Sequence, residues 1–339
     1  MKAIALLSGG LDSTLAAKAV LEQGIEVIGV NFTSPFCMCS GRNGGCKSKA
    51  REMAEQLKIP LKVLSAAEEF IEAVKKPRFG YGSSMNPCID CRILKFRAAK
   101  KYMEEINASF IVTGEVLGQR PMSQNNRAMY IIEKESGLDG YILRPLSALA
   151  VAPSIPEKMG WVDREKFFGI TGRSRKEQLK LVEKYSIESH ACPAGGCLLT
   201  DKNFGIKVKD LIDSGMFDMD AARLFQYGRY FSAGKSLKIA AGRNESENRI
   251  IRSLAKDGDL LIEAEKKGPV VLARGKIGAE GVREALKIAA YYTKPDGEEG
   301  MRFNCKILPD EEGFYAIKEK ITEEELRRFS PEYLKEEAG

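Results

Sequence analysis

An apolar stretch at residues 3–7 runs straight into Ser8-Gly9-Gly10-Leu11-Asp12-Ser13, and a helical pattern through Leu15, Ala16, Ala19 and Val20 follows at once. Strand, glycine turn and helix in immediate succession leave the chain few ways to begin. Two glycines let the backbone turn tightly and bring its N–H groups close to an anion. A helix starting near Asp12 offers free N–H groups and the positive end of its dipole. Ser8 and Ser13 add hydroxyl donors. The six residues together read as a pyrophosphate cradle rather than as a purely structural turn.

The remainder of the first half alternates strands and helices. Strands are expected at 25–30, 61–63, 110–113 and 141–143, with helices at 48–57, 93–106 and 175–185. Strands spaced by helices imply a parallel sheet covered on both faces, and ligands of such sheets bind at the carboxyl ends of the strands. Beyond about 200 the pattern changes to short strands at 237–240, 260–264 and 270–273, with a helix at 281–290. The tail from 323 to 338 reads as a charged amphipathic helix or a partly unstructured end. The expectation is therefore an α/β protein with a doubly wound parallel sheet over residues 1–200, and a smaller α+β C-terminal domain over 201–339. A length of 339 residues suits two such domains.

Composition narrows the chemistry. No apolar run approaches the roughly 18 residues needed to span a bilayer, and the N-terminus carries no leader pattern, so no membrane association and a cytoplasmic location are expected. The net charge is +6, and residues 1–200 hold the surplus, with 28 Lys/Arg against 21 Asp/Glu. That suits an anionic partner such as a nucleotide or RNA as well as it suits ordinary surface lysines. The single histidine, His190, makes a Ser-His-Asp mechanism or a multi-histidine metal site a poor fit; packing is its simpler role. A run from Gly228 to Ser236 imitates a phosphate-binding Gly-x4-Gly-Lys-Ser loop but has five residues between its glycines and no preceding apolar strand. It is read as a turn.

Eight cysteines in a chain of this kind suggest metal, redox or nucleophile chemistry, or buried thiols, rather than a disulfide scaffold. Cys88 and Cys91 sit in Asn86-Pro87-Cys88-Ile89-Asp90-Cys91, just before a basic helix with Arg92, Lys95, Arg97, Lys100 and Lys101. Cys192 and Cys197 lie in a Pro/Gly-rich loop far along the chain. Thiolates drawn from separate loops suit Zn²⁺ or an iron–sulfur cluster, and a structural zinc clip would look the same. Cys37, Cys39 and Cys46 have no common metal spacing. They are either incidental thiols or a sulfur relay or labile metal site.

The 8–13 hexad resembles the SGGxDS signature of the PP-loop ATP pyrophosphatases. That HUP-like superfamily includes GMP, NAD and asparagine synthetases, deazaguanine-ring synthases and the tRNA thiolases. The resemblance implies attack of a substrate oxygen on the α-phosphate of ATP, departure of pyrophosphate, and a requirement for Mg²⁺. It implies that Ser8, Gly9, Gly10, Asp12 and Ser13 bind ATP, that Asp12 helps place the metal, and that Asn31 and Phe32 lie near the adenine. Asn86 to Cys91 is similar to the NPxxxC motif of tRNA 2-thiouridine synthases. Gly196-Cys197 with Leu198-Leu199-Thr200 is similar to the motif of their second cysteine. The stretch from Phe110 through Thr113, Gly114 and Glu115 to Gln119, with Ser123-Gln124 and Leu143-Arg144-Pro145-Leu146, resembles the TGESLGQ-type segment of tRNA 4-thiouridine synthases. Thr113 and Gly114 are accordingly expected at the ATP.

A Cys at position 88, where the 2-thiouridine synthases often have Asp, resembles the iron–sulfur branch of tRNA thiolases. The analogy implies a [4Fe–4S] cluster on Cys88, Cys91 and Cys197, with Cys192 as an alternative third ligand and zinc as an alternative metal. Gly242-Arg243-Asn244 and the segments around Gly258 and Gly268 resemble the RNA-binding module of NFACT proteins, so Arg243, Arg249 and Arg252 are expected to contact phosphates, as are Lys95 and Arg97. The implied reaction is adenylation of a uridine carbonyl oxygen in tRNA. The oxygen is then replaced by sulfide held on the cluster, or by a persulfide resolved as a disulfide, with Asp12, Cys91 and Cys197 as catalytic residues. A PP-loop ligase acting on a small molecule is the competing class. A homodimer is within range. The expected sulfur donor is a sulfide or a persulfide.

Overall fold

The computed structural model describes residues 1–38, 45–187, 196–295, 300–309, 311–318 and 320–331. Within these the chain forms two compact units, Met1–Asp201 and Lys202–Gly339.

The first unit is built on strands β1 (Lys2–Leu6), β2 (Glu26–Thr33), β3 (Leu61–Ser65), β4 (Phe110–Val112) and β5 (Ile142–Leu143). They lie in the order β3-β2-β1-β4-β5 and every pair is parallel. Helices α1 (Leu11–Leu21), α2 (Gly45–Gln56), α3 (Ala67–Lys75), α4 (Cys88–Glu105), α5 (Asn126–Ser136), α6 (Ile155–Lys158) and α7 (Lys176–Lys184) connect or flank them. The central strand explains the layering. Ala3 and Ala5 point into one core with Leu15, Ala16 and Val20 of α1 and Leu181 of α7. Ile4 between them points into a second core with Ile93 and Phe96 of α4 and Ile132 of α5. A period of two thus divides a continuously apolar strand between two helical layers, as a parallel sheet buried on both faces requires. The chain leaves β1 towards β2 on one side and returns to β4 on the other, so the strand order reverses beside β1, the place where open α/β sheets bind ligands.

The second unit holds helices α8 (Lys202–Asp213), α9 (Met219–Leu224), α10 (Glu245–Ser253), α11 (Ala279–Tyr292) and α12 (Glu323–Arg327). Its strands are β6 (Arg229–Ala233), β7 (Leu237–Ala241), β8 (Leu260–Ala264), β9 (Val270–Gly275), β10 (Met301–Ile307) and β11 (Glu311–Ile317). The six strands form one antiparallel sheet, β11-β10-β8-β9-β7-β6. Ala285, Leu286, Ile288 and Ala289 of α11 share a core with Ile239, Ile262, Val271 and Phe303 from the strands. This is the expected α+β module, with three strands more than the sequence predicts, β10 and β11 at one edge and β6 at the other. The false phosphate loop is a β-hairpin: residues 229–233 are strand β6, and only Gly234, at φ +68°, begins the turn. Two charged pairs include a fully or nearly buried cation. Lys238, fully buried, has its Nζ 2.8 Å from Asp210 Oδ2, and Arg274 is bidentate on Asp259 at 2.9 and 2.6 Å. No helix among the described residues is long and apolar enough to cross a membrane.

Candidate active site

Gly9 has φ +76°, and a Cβ there would stand 2.8 Å from Lys49 Cβ and 2.9 Å from Ala50 N. Only glycine allows the turn after β1 to pass under α2. Gly10 then caps α1 in an extended conformation with no side-chain cap, which leaves the first N–H groups of the helix to a ligand. The two serines close the turn on itself. Ser8 N–H donates to Ser13 Oγ (3.2 Å), Gly10 N–H to Ser8 Oγ (3.3 Å), and Ser13 Oγ–H to Gly10 O (2.9 Å).

Asp12 is held at one oxygen only. Its Oδ2 accepts from Gln119 Nε2 at 3.0 Å, while Oδ1 is buried and has no protein partner. A buried carboxylate oxygen without a partner is costly, and at a helix N-terminus built for phosphates it fits a Mg²⁺ ligand. Asn31 shows the same asymmetry. Its Nδ2 donates to Leu7 O at 2.7 Å, and its Oδ1 is buried without a partner. Phe32, Thr33 and Pro35 from the end of β2 line a small notch with Phe70 of α3 and Cys91 and Lys95 of α4.

Gly114 presses the end of β4 against α1. A Cβ at this position would lie 2.4 Å from both Asp12 C and Ser13 N. Its role here is close backbone packing beneath the cradle. Thr113 is buried, and its Oγ1–H donates to Glu115 Oε2 at 3.3 Å.

Glu115 is the centre of a network that the sequence reading quoted within a motif but gave no role. It is 2% exposed and accepts from Arg92 Nη1 at 2.6 Å and Arg144 Nε at 3.0 Å; Arg144 also donates to Glu133. Burial raises the Glu115 carboxyl, but the Arg92 and Arg144 guanidiniums outweigh it and hold the pKa below the usual carboxylate range. Because Arg92 follows Cys91 directly, this pair ties the cysteine-bearing start of α4 to the end of β4. Arg120 is the second residue that had not been singled out. It keeps an exposed surface, yet surrounding protein, then Arg92, lowers its pKa, while Cys88 and Asp12 pull it the other way. One guanidinium therefore lies in electrostatic reach of the cradle's carboxylate and the first thiol.

Cys88 opens α4 and Cys91 lies one turn further, at the positive end of an 18-residue helix. Asn86 is buried; its Nδ2 donates to Cys88 Sγ at 3.2 Å and its Oδ1 accepts from Ser84 N–H at 3.0 Å. Asn86 thus aims the sulfur. Cys197 is half-buried. Burial pushes its thiol up to about 12; Cys91 and Cys88 add to the rise, and a Leu199 backbone hydrogen bond and Lys95 oppose it. Cys197 lies within electrostatic reach of Cys91 and Cys88. They do not form a metal-holding group, nor does any other set of three Cys, His, Asp or Glu among the described residues. Cys192, the alternative ligand, lies outside the described residues, as do His190 and Cys39; Cys46 falls in α2.

The expected RNA contacts divide. Lys95 lines the notch beside Cys91. Arg97 donates to Glu135 O from Nε (2.9 Å) and Nη2 (2.7 Å). Arg243, Arg249 and Arg252 are on the surface, each with a carboxylate partner: Glu247 at 3.1 Å, Glu245 at 3.1 Å and Glu263 at 2.9 Å.

A parallel sheet with a glycine turn after its central strand and a half-satisfied carboxylate at the following helix start resembles the HUP-type nucleotide-binding domains of the PP-loop kind. Residues 1–152 match the family model of the tRNA methyl transferase HUP domain, and residues 228–330 match that of the NFACT protein RNA binding domain. The chain is 35% identical over 144 residues to the tRNA-specific 2-thiouridylase MnmA of Clostridium acetobutylicum, covering 39% of each chain. It is 35% identical over 125 residues to MnmA of Mycobacterium ulcerans, covering 34% of each. It therefore spans under two-fifths of the length of these relatives. A crystal structure of a 4-thiouridine synthetase–RNA complex with bound ATP aligns at a TM-score of 0.37 with 24% identity, over 66% of this chain and 52% of that one. The chain resembles the PP-loop tRNA thiouridine synthases in its N-terminal domain and the NFACT RNA-binding domain over residues 228–330.

Proposed function

We propose that this protein is an ATP-dependent tRNA sulfurtransferase that adenylates a uridine carbonyl oxygen and exchanges it for sulfur, working in the cytoplasm. The observation that carries the reading is the coupling of cradle to thiols. Residues 113–120 touch Asp12 through Gln119 and Gly114, and reach the start of α4 through Glu115 and Arg120.

In this account the 8–13 turn and the N-terminus of α1 bind the phosphates of ATP. Asp12 would hold Mg²⁺, whose charge offsets that of the phosphates when bound. Arg120 steadies negative charge between cradle and thiols. The uridine oxygen attacks the α-phosphorus and pyrophosphate leaves, turning a poor leaving group into a good one. Sulfur then adds at the ring carbon and AMP departs. The base must be unstacked to reach the site, and the C-terminal module, with Arg243, Arg249 and Arg252, holds the tRNA.

The sulfur is carried by the thiols at the start of α4 and at Cys197. That sulfur is either a cluster-held sulfide or a persulfide resolved as a disulfide; the persulfide route needs only the chain's own thiols, and no step here runs through a cluster. The test is product analysis of ATP turnover with unmodified tRNA and a persulfide donor. AMP and pyrophosphate formed only with tRNA support the proposal; ADP, or AMP formed without tRNA, overturns it. Iron, acid-labile sulfide and zinc assays on anaerobically purified protein separate the two ways of carrying sulfur.

A further inference from the structure

The segment after β2 meets the segment before α8 in a short antiparallel bridge. Met38 N–H donates to Gly196 O at 3.1 Å and Leu198 N–H to Phe36 O at 2.8 Å, with Cys37 and Cys197 as the bridge partners. The two bonds flank the cysteine pair instead of joining it. Cys37 and Cys197 therefore form the non-hydrogen-bonded type of antiparallel pair, whose Cα atoms stand about 4.5 Å apart with side chains on the same face. A disulfide needs Cα atoms about 4.4–6.8 Å apart. Two neighbours hold the bridge. Buried Phe36 packs edge-on against Phe70 at 5.5 Å, and Gly196 leaves room for Met38, whose Sδ would stand 2.5 Å from a Cβ at 196. Both cysteines are partly exposed. The reading above uses Cys197 but leaves Cys37 without a role.

We propose that Cys37 is the resolving thiol for sulfur carried on Cys197, the two closing as a cross-strand disulfide when that sulfur leaves. This rests on the thiolation reading. A persulfide donor charges Cys197. The terminal sulfur bonds to the uridine carbon, and the C–O bond breaks with its electron pair leaving on AMP. The base is then joined to Cys197 through an S–S bond. Cys37, its proton lost to solvent, attacks Cys197 Sγ. The S–S bond to the base breaks and its electron pair goes to the base's sulfur. The transferred sulfur gains two electrons, and the two cysteine sulfurs lose two in forming their disulfide. An external dithiol reductant resets the pair for the next cycle.

The test takes the full chain, charged with persulfide and freed of reductant, through one round with tRNA and ATP. It is then alkylated and mapped by mass spectrometry without reduction. The wild type is expected to yield a Cys37–Cys197 linked peptide and free thiolated tRNA. Cys37→Ser is expected to stall with AMP released and tRNA joined covalently to Cys197, freed by dithiothreitol, so the stalled adduct itself reports a folded, charged protein. A Cys91–Cys197 link, or thiolated tRNA released in full by Cys37→Ser without reductant, overturns the assignment. Absence of tRNA-dependent AMP from the wild type overturns the thiolation reading instead.

Discussion

Gly114 lies against Asp12 so closely that a Cβ on Gly114 would stand 2.4 Å from the Asp12 carbonyl carbon. The end of β4 thereby fixes the start of α1, where the proposed function puts the phosphates and the Asp12 carboxylate. The contact is with backbone, which cannot rotate away. Gly114→Ala is therefore expected to displace the helix start, costing about 1–3 kcal/mol of stability as overpacking does, and to lower tRNA-dependent AMP formation more than tenfold. Urea unfolding and AMP release at saturating ATP check the two parts.

Asp12 offers a charge that its one hydrogen bond does not need. Asp12→Asn retains an oxygen able to accept from Gln119 Nε2 but loses the carboxylate. AMP formation is expected to fall at least about a hundredfold, as when a charge-stabilising group is removed from an active site, with the midpoint of thermal unfolding little changed. A large drop in that midpoint would mean that Asp12 is structural.

Glu115 sits between Arg92 and Arg144 with its pKa depressed. A depressed carboxyl adds stability above its unfolded pKa of about 4.3, and that stability is lost as pH falls through the lower folded value. Glu115→Gln leaves buried Arg144 short of a counter-charge and is expected to cost about 3–5 kcal/mol at pH 7. The cost should shrink below pH 4. Urea unfolding of both proteins across pH 3–7 tests this; a penalty that does not change with pH would contradict it.

Cys197, with its thiol pushed up to about 12, is almost entirely protonated at pH 8, with roughly one molecule in 10⁴ as thiolate. Alkylation of Cys197 by iodoacetamide should rise about tenfold per pH unit between pH 8 and 11. Lys95 lowers this pKa, so Lys95→Ala should slow labelling at any fixed pH in that range. Peptide mass spectrometry gives both rates; a plateau below pH 10 would contradict the burial argument.

What could be read in advance follows physical range. The turn is local: glycines, serines and a helix start lie within six residues, and the structure places them between β1 and α1, with one Asp12 oxygen buried and without a partner. The buried strands β1, β2 and β4 announce themselves as apolar runs. Strands β10 and β11 do not, because Arg302, Asn304 and Lys306 alternate with their buried residues and Glu311-Glu312 opens an edge strand. Long-range pairing was illegible for a different reason. Nothing in the spacing of Glu115, Arg92 and Arg144 says they share a buried network, and Cys37 faces Cys197 only because two distant loops are brought into register. The carboxylate partners of Arg243 and Arg249, by contrast, stand at i,i+4 spacing, a signal present in the sequence.

The most direct measurement of the central claim is nucleoside mass spectrometry of unmodified tRNA treated with the reduced protein, ATP and a persulfide donor. The account predicts a uridine in which one oxygen has become sulfur, formed in step with AMP and absent with Asp12→Asn. Its fragmentation would also assign the ring position. AMP formed in step with tRNA while every uridine keeps both its oxygens would contradict the account and make this domain a ligase of another kind.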